Sequence, residues 1–300
     1  MTMRHSRTTL ALFVAASSMA LSSAAFAAQE NAQIPDFSGL WARQTFGLES
    51  PLSGRGPIKG PAGNTGGGGD YTDPILKPEA AAVVKEKGQI LRSGRFYPNV
   101  SNQCYPYPPP FILAVNQAVE LAQLKDEVVI LAMFDNQVRR VRLNGQHPAQ
   151  LTPSSWYGDS VGHYEGDTLI VDTVGVRVTP IAAIDGRSGA PYSPALHVVE
   201  RYRLIDGAKA KEAAERGEKE NGLVPGDSST GDGIGVDLSY KGKGLQVEIT
   251  VDDPGVFTAP WTALVTYRRA SGGWVERICA ENTREFGVER NPPRADKPDF

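Results

Sequence analysis

From Val119 onward the chain is a series of short apolar runs with period-two alternation, each closed by a turn dipeptide, and this pattern restricts the fold more than any other feature. Glu127 to Phe134 ends at Asp135-Asn136, Gln137 to Leu143 at Asn144-Gly145, and Leu196 to Ile205 at Asp206-Gly207. Thr168 to Val174 follows the turn Glu165-Gly166-Asp167, and Leu245 to Val251 runs into Asp252-Asp253-Pro254-Gly255. Trp261 to Arg269 and Trp274 to Ala280 flank Ser271-Gly272-Gly273. Alternation closed by NG, DG or GG is a strong local signal for hairpins. No helical crossover separates the runs, which disfavours a parallel α/β sheet. The fold class expected is all-β: an antiparallel β-barrel or barrel-like sandwich with an irregular N-terminal segment and one short helix. The 32 Gly and 22 Pro agree with a turn-rich chain.

The organisation before Val119 is different. Residues 1–27 have a positive start at Arg4 and Arg7, an apolar stretch from Thr9 to Leu21 and the small-residue site Ala25-Phe26-Ala27. That is the layout of a secretory signal peptide, and it predicts a periplasmic or secreted protein. Residues 28–110 are read as an irregular Gly/Pro-rich segment, with Pro78 to Leu91 as its helix and Ile34 to Trp41 as a first short strand. Ser53 to Asp70 is Gly-rich, but no Lys-Ser/Thr pair follows Gly66 to Gly69, so a phosphate-cradling loop is not expected. Residues 111–300 form the β domain, interrupted at 208–235 by a charged, Gly-rich insertion read as a short exposed helix followed by a mobile surface excursion.

Cys104 and Cys279 are the only cysteines. In an oxidising compartment they are read as one disulfide, because neither has a C-x-x-C partner or a His at metal-ligand spacing. A formal net charge of −3 with scattered basic residues removes the case for nucleic acid as a partner. Nothing after the N-terminus approaches the roughly 18 apolar residues of a membrane span.

The densest polar stretch is Ser154 to Asp172. If Asp159 to Tyr164 is extended, Asp159 and His163 share one face, a plausible base and orienting acid for proton transfer. Tyr157 and Tyr164 would be hydrogen-bond donors, and Trp156, Ser160, His197 and Trp261 would contact a ligand. Gly158-Asp159-Ser160-Val161-Gly162 also matches the G-x-S-x-G elbow of serine hydrolases, although its flanks lack the strand and helix that motif requires. His147, His197 and His163 show no H-x-H or H-E-x-x-H spacing, so no metal is expected. No cofactor is expected.

The segment Trp156 to Thr173 (WYGDSVGHYEGDTLIVDT) resembles a widespread family of exported bacterial proteins of unassigned function. The likeness extends to Asn136-Gln137-Val138-Arg139-Arg140, His147-Pro148, Val199-Glu200-Arg201-Tyr202, Asp253-Pro254, Pro260-Trp261-Thr262 and Cys279-Ala280-Glu281-Asn282. The insertion at 208–235 and the glycines at Gly66 to Gly69 depart from it. The resemblance implies export and brings no site residues with it. Gly39-Leu40-Trp41 is also similar to the G-x-W start of lipocalin-like barrels. The function expected is binding of a small hydrophobic or aromatic metabolite, with acid/base conversion (isomerase, lyase or hydrolase) as its catalytic version. The alternatives are a non-catalytic envelope or interaction protein and a secreted serine hydrolase using Ser160.

Overall fold

A computed structural model describes residues 34–60, 68–151, 155–220 and 235–279. Residues 1–27, read as a signal peptide, half of the 208–235 insertion (221–234) and Ala280-Glu281-Asn282 lie outside these residues. The strands in chain order are β1 (Gly39–Ala42), β2 (Val119–Gln123), β3 (Glu127–Ala132), β4 (Gln137–Leu143), β5 (Asp159–Glu165), β6 (Thr168–Val174), β7 (His197–Ile205), β8 (Gly235–Val236), β9 (Gly244–Asp252) and β10 (Trp261–Ser271). Two helices, α1 (Pro78–Arg92) and α2 (Gly207–Glu220), and a 3₁₀ turn at Phe111–Leu113 complete the described elements. The sheet runs β1-β2-β3-β4-β5-β6-β7-β9-β10, and β1 pairs back onto β10. A nine-strand barrel is therefore closed, with β8 attached at the far end of β10. Closure removes the unpaired edges that an open sheet would expose.

The alternation read from the sequence is the inside/outside alternation of this wall. On β4, Gln137, Arg139 and Val141 are buried while Val138, Arg140 and Arg142 are exposed. On β7, Val198, Glu200 and Tyr202 point inward. Trp41, Trp261, Tyr202, Tyr267 and Arg139 are among the largest fully buried side chains, so side chains occupy the interior of the barrel. A metabolite enclosed by the barrel, which the fold class and expected function together would suggest, has its place taken by these side chains.

Three details differ from expectation. One pair of the barrel is parallel: β4 and β5 meet at Arg142↔Val161 and Leu143↔Gly162. Asn144-Gly145 is therefore not a hairpin turn; Asn144 takes φ +55 and sends the chain into a crossover from residue 144 to 158. The true β3–β4 turn uses Asp135 and Asn136, both at positive φ. Asp206-Gly207 likewise opens α2 instead of a hairpin, with Asp206 accepting the backbone N–H groups of Ala208 (2.9 Å) and Lys209 (3.3 Å) as a helix N-cap. That helix is not simply exposed, because Ala210, Ala213, Gly217 and Glu218 are buried. Trp274 to Cys279 forms no strand and makes one bridge, between Phe134 and Arg277.

The N-terminal segment is irregular but ordered against the barrel. Phe37, Val84, Tyr107, Phe111, Ile112 and Leu113 belong to the same apolar core as the strands. Tyr107 stacks between Phe111 and Phe134, at 4.7 and 4.5 Å between ring centroids. The helix expected from Pro78 is present, with Pro at its first turn. Cys104 and Cys279 form the disulfide, tying this segment to the chain beyond β10.

Candidate functional site

Period two places two polar clusters back to back on strands β4 to β7. Inside the wall, Arg139 Nη1 donates to both carboxylate oxygens of Glu200, each at 2.9 Å. The remaining guanidinium nitrogens reach Ser160 Oγ (3.2 Å) and Thr173 Oγ1 (2.7 Å), and Tyr202 Oη donates to Glu200 Oε2 at 2.9 Å. Burial is the largest influence on Arg139 and opposes its charge, yet Glu200 and Tyr202 together outweigh it and hold the guanidinium protonated. This network is fully enclosed and satisfied, so it serves the fold.

Outside the wall, the opposite parity brings Arg142, Asp159, Asp172 and His197 together. The two-residue β5–β6 loop pairs Glu165 with Thr168, which sets Asp159 opposite Val174 and Val161 opposite Asp172. Asp159 and Asp172 are therefore diagonal neighbours. The crossover then lays His147 between them, with Nδ1 2.7 Å from Asp159 Oδ1 and Nε2 2.9 Å from Asp172 Oδ1. Asp172 Oδ2 takes His197 Nε2 at 2.8 Å. Arg142 grips Asp159 with two nitrogens, at 2.8 and 2.9 Å. That contact holds the Asp159 carboxyl below the usual carboxylate range against the opposing effect of burial, with His147 adding to it.

The resulting chain is Arg142–Asp159–His147–Asp172–His197. A neutral imidazole has one N–H, so it cannot donate to two carboxylates. His197 differs: one nitrogen faces Asp172, and among the described residues Nδ1 has no partner. Its side chain is 41% exposed. A carboxylate that fixes one imidazole nitrogen leaves the other with its lone pair available, the requirement for a general base. Half-buried Val161, Val174 and Val199 lie on the same outer face of the neighbouring strands.

The expected dyad of His163 and Asp159 is not assembled. His163 points outward, exposed, with Nε2 2.9 Å from Glu165 Oε1. Asp159 is engaged by Arg142 and His147 instead. Being on one face of a strand is not contact, since positions four apart are about 13 Å apart along it. Ser160 faces the interior, where Arg139 and Thr173 bind its hydroxyl and no histidine reaches it, so the serine-hydrolase reading is corrected. Tyr164 is tied to Gln123 Nε2 at 2.9 Å, and burial raises the Tyr157 phenol to about 12. Trp261 is a core residue packed edge-on to Phe257, and Trp156 lies 5.2 Å from Tyr105 with Arg177 over its ring. Among the expected ligand contacts, His197 alone belongs to the outer cluster. Arg142, His147 and Asp172 were missed as site residues. The hairpin register was a usable signal for Asp172, whereas His147 sits in a loop whose path no local pattern specifies.

Comparison with family models, curated proteins and solved structures gave no match for this chain. The cluster is therefore interpreted from its own geometry. Among the described residues, no group of His, Cys, Asp or Glu is arranged to hold a metal ion.

Proposed function

We propose that this exported barrel protein binds a small, largely apolar metabolite on its outer wall over β6 and β7 and moves a proton to or from it. His197 is the general base, Asp172 orients it and balances the imidazolium that forms, and His147 fixes Asp172 from the other side. The single observation that carries this reading is Asp172 holding two imidazoles, one of which leaves a nitrogen open to solvent. The flanking valines supply an apolar floor, and such a step needs no organic cofactor. Three stretches of the family resemblance, around His147-Pro148, Trp156 to Thr173 and Val199-Glu200, converge here. Export through residues 1–27 is supported by the disulfide, which suits an oxidising compartment, and no described helix is long and apolar enough to cross a membrane.

The test is proton exchange. The mature protein is incubated in D₂O with a library of weak carbon acids and aromatic metabolites, and deuterium uptake is read by mass spectrometry. At least one compound class is expected to exchange with the natural protein and to lose at least 100-fold in rate with His197→Gln or Asp172→Asn. Absence of exchange across the library, or exchange indifferent to both substitutions, would overturn the reading in favour of a non-catalytic interaction protein.

A further inference from the structure

Beside His197 stands a second carboxylate that the network around Asp172 does not use. β7 and β9 are antiparallel, and their ladder sets His197 directly opposite Asp252. Residues paired in this way have Cβ atoms about 4.5–5.5 Å apart and point to the same side of the sheet. Gln246, Glu248, Thr250 and Asp252 are the outward residues of β9, so Asp252 shares the outer wall with His197. Asp172 reaches the imidazole from β6, on the other flank of β7. The ring therefore stands between two carboxylates, of which only Asp172 is bonded to it. Val199 and its partner Thr250 come next along the two strands, so the ground beside the pair is one valine and one hydroxyl.

Asp252 is half-buried and has no hydrogen bond or ion pair among the described residues. The cations of this wall are placed elsewhere: Arg142 is on Asp159, and Arg201 faces Glu248 across the same ladder. Lys77, which reaches the turn after β9, donates its ammonium to the Pro254 carbonyl. Asp253, the next residue, is fully buried and accepts from Ser193 and Gly255. Of the outer carboxylates Asp159, Asp172 and Asp252, the last alone has no donor. A carboxylate beside an apolar floor attracts a cation more strongly than a neutral dipole, and repels an anion. We infer that this site takes an organic ammonium ion, with the charged nitrogen on Asp252 and a small apolar body over Val199 and Val174. The inference rests on the reading of His197 as an exposed base, and it narrows the substrate class from apolar metabolites in general to those carrying one positive charge.

The experiment is calorimetric titration of the mature protein with three probes of one shape and different charge: phenethylamine, phenethyl alcohol and hydrocinnamate. The amine is expected to bind saturably and at least fivefold tighter than the alcohol, with the preference shrinking in high salt and the carboxylate binding least. Asp252→Asn is expected to bring the amine down to the alcohol and leave the alcohol unchanged, whereas Asp252→Glu keeps most of the preference. Asp126→Asn, which removes a carboxylate from the β2–β3 turn, is expected to change nothing. The Asp252 variants should melt with the natural protein, because that side chain holds no other residue in place. His197→Gln separates the two readings: it is expected to end deuterium uptake while the amine still binds. Deuterium uptake without any preference for amines would overturn this inference alone, and amine binding without deuterium uptake in the natural protein would overturn the base alone. No saturable amine binding, equal binding of amine and alcohol, or an amine preference that survives Asp252→Asn would each overturn the ammonium site.

Discussion

Arg269 lies over the Trp41 indole, its guanidinium carbon 3.9 Å from the ring centroid, and donates from Nη1 to the Ser38 carbonyl at 3.0 Å. The two residues are register partners across the β1–β10 pair that closes the barrel. Trp41 is itself pinned by its Nε1–H on Phe37 O at 2.9 Å. Gly39 completes the arrangement: it takes φ +113, and a Cβ there would collide with Arg269 Nη1. The G-x-W sequence is thus a closure device, in which glycine leaves room for the arginine that covers the tryptophan.

Gly39→Ala is expected to destabilise the protein by about 1–3 kcal/mol from backbone strain, with the collision adding to it. Arg269→Met keeps the packing but loses the cation over the ring and the bond to Ser38, for about 2 kcal/mol. Urea unfolding followed by tryptophan fluorescence measures both. Equal stability of either variant would show that closure does not depend on this contact.

The buried Arg139–Glu200 pair gives a sharper contrast. Glu200→Gln leaves a guanidinium enclosed without a counter-charge and is expected to cost about 3–5 kcal/mol. The double variant Arg139→Met, Glu200→Leu removes both charges and should recover most of that loss, as apolar replacements of buried pairs often do. Chemical denaturation of the natural protein and the two variants decides it.

Stability against pH should report on Asp159. Arg142 first, and His147 second, lower its carboxyl relative to the unfolded chain. A depressed folded value contributes stability above the unfolded value near 3.9, and that contribution is lost as pH falls through the folded value. Amide exchange in residues 144–151 should therefore stay slow through neutral pH and quicken only below about pH 4. With Arg142→Gln the folded value rises toward the unfolded one, so the segment should be less protected at neutral pH and lose less protection on acidification.

Removal of the disulfide tests how the N-terminal segment is held. Cys104 and Cys279 are 175 residues apart, so a bond between them restricts a long loop of the unfolded chain. The Cys104→Ser, Cys279→Ser protein is expected to lose about 2–5 kcal/mol. Limited proteolysis should then cut first near residues 95–105, with the barrel strands protected. Cleavage inside β6 or β9 at the same rate would contradict that order.

Strand identity and facing were legible in the sequence because they follow from local chemistry. Alternation along Gln137 to Leu143 or His197 to Ile205 reflects a period of two residues, and the turn glycines and Asp-Asn pair mark where it stops. The shared face of Asp159 and His163 was readable, along with the pairing of Cys104 and Cys279, but not that this face is the outer one. The tertiary structure decided what these parities meant. It closed β1 onto β10, filled the interior with Trp41, Tyr202 and Arg139, and so turned the inward face into core and the outward face into the candidate site. It also carried the chain across after Asn144, which made one pair parallel and delivered His147 between two carboxylates. Local sequence fixes backbone dihedrals and the side to which a residue points. Contacts across 12 to 25 positions, such as His147 with Asp159 and Asp172, depend on the path of a loop, and that path is set by packing against the finished barrel.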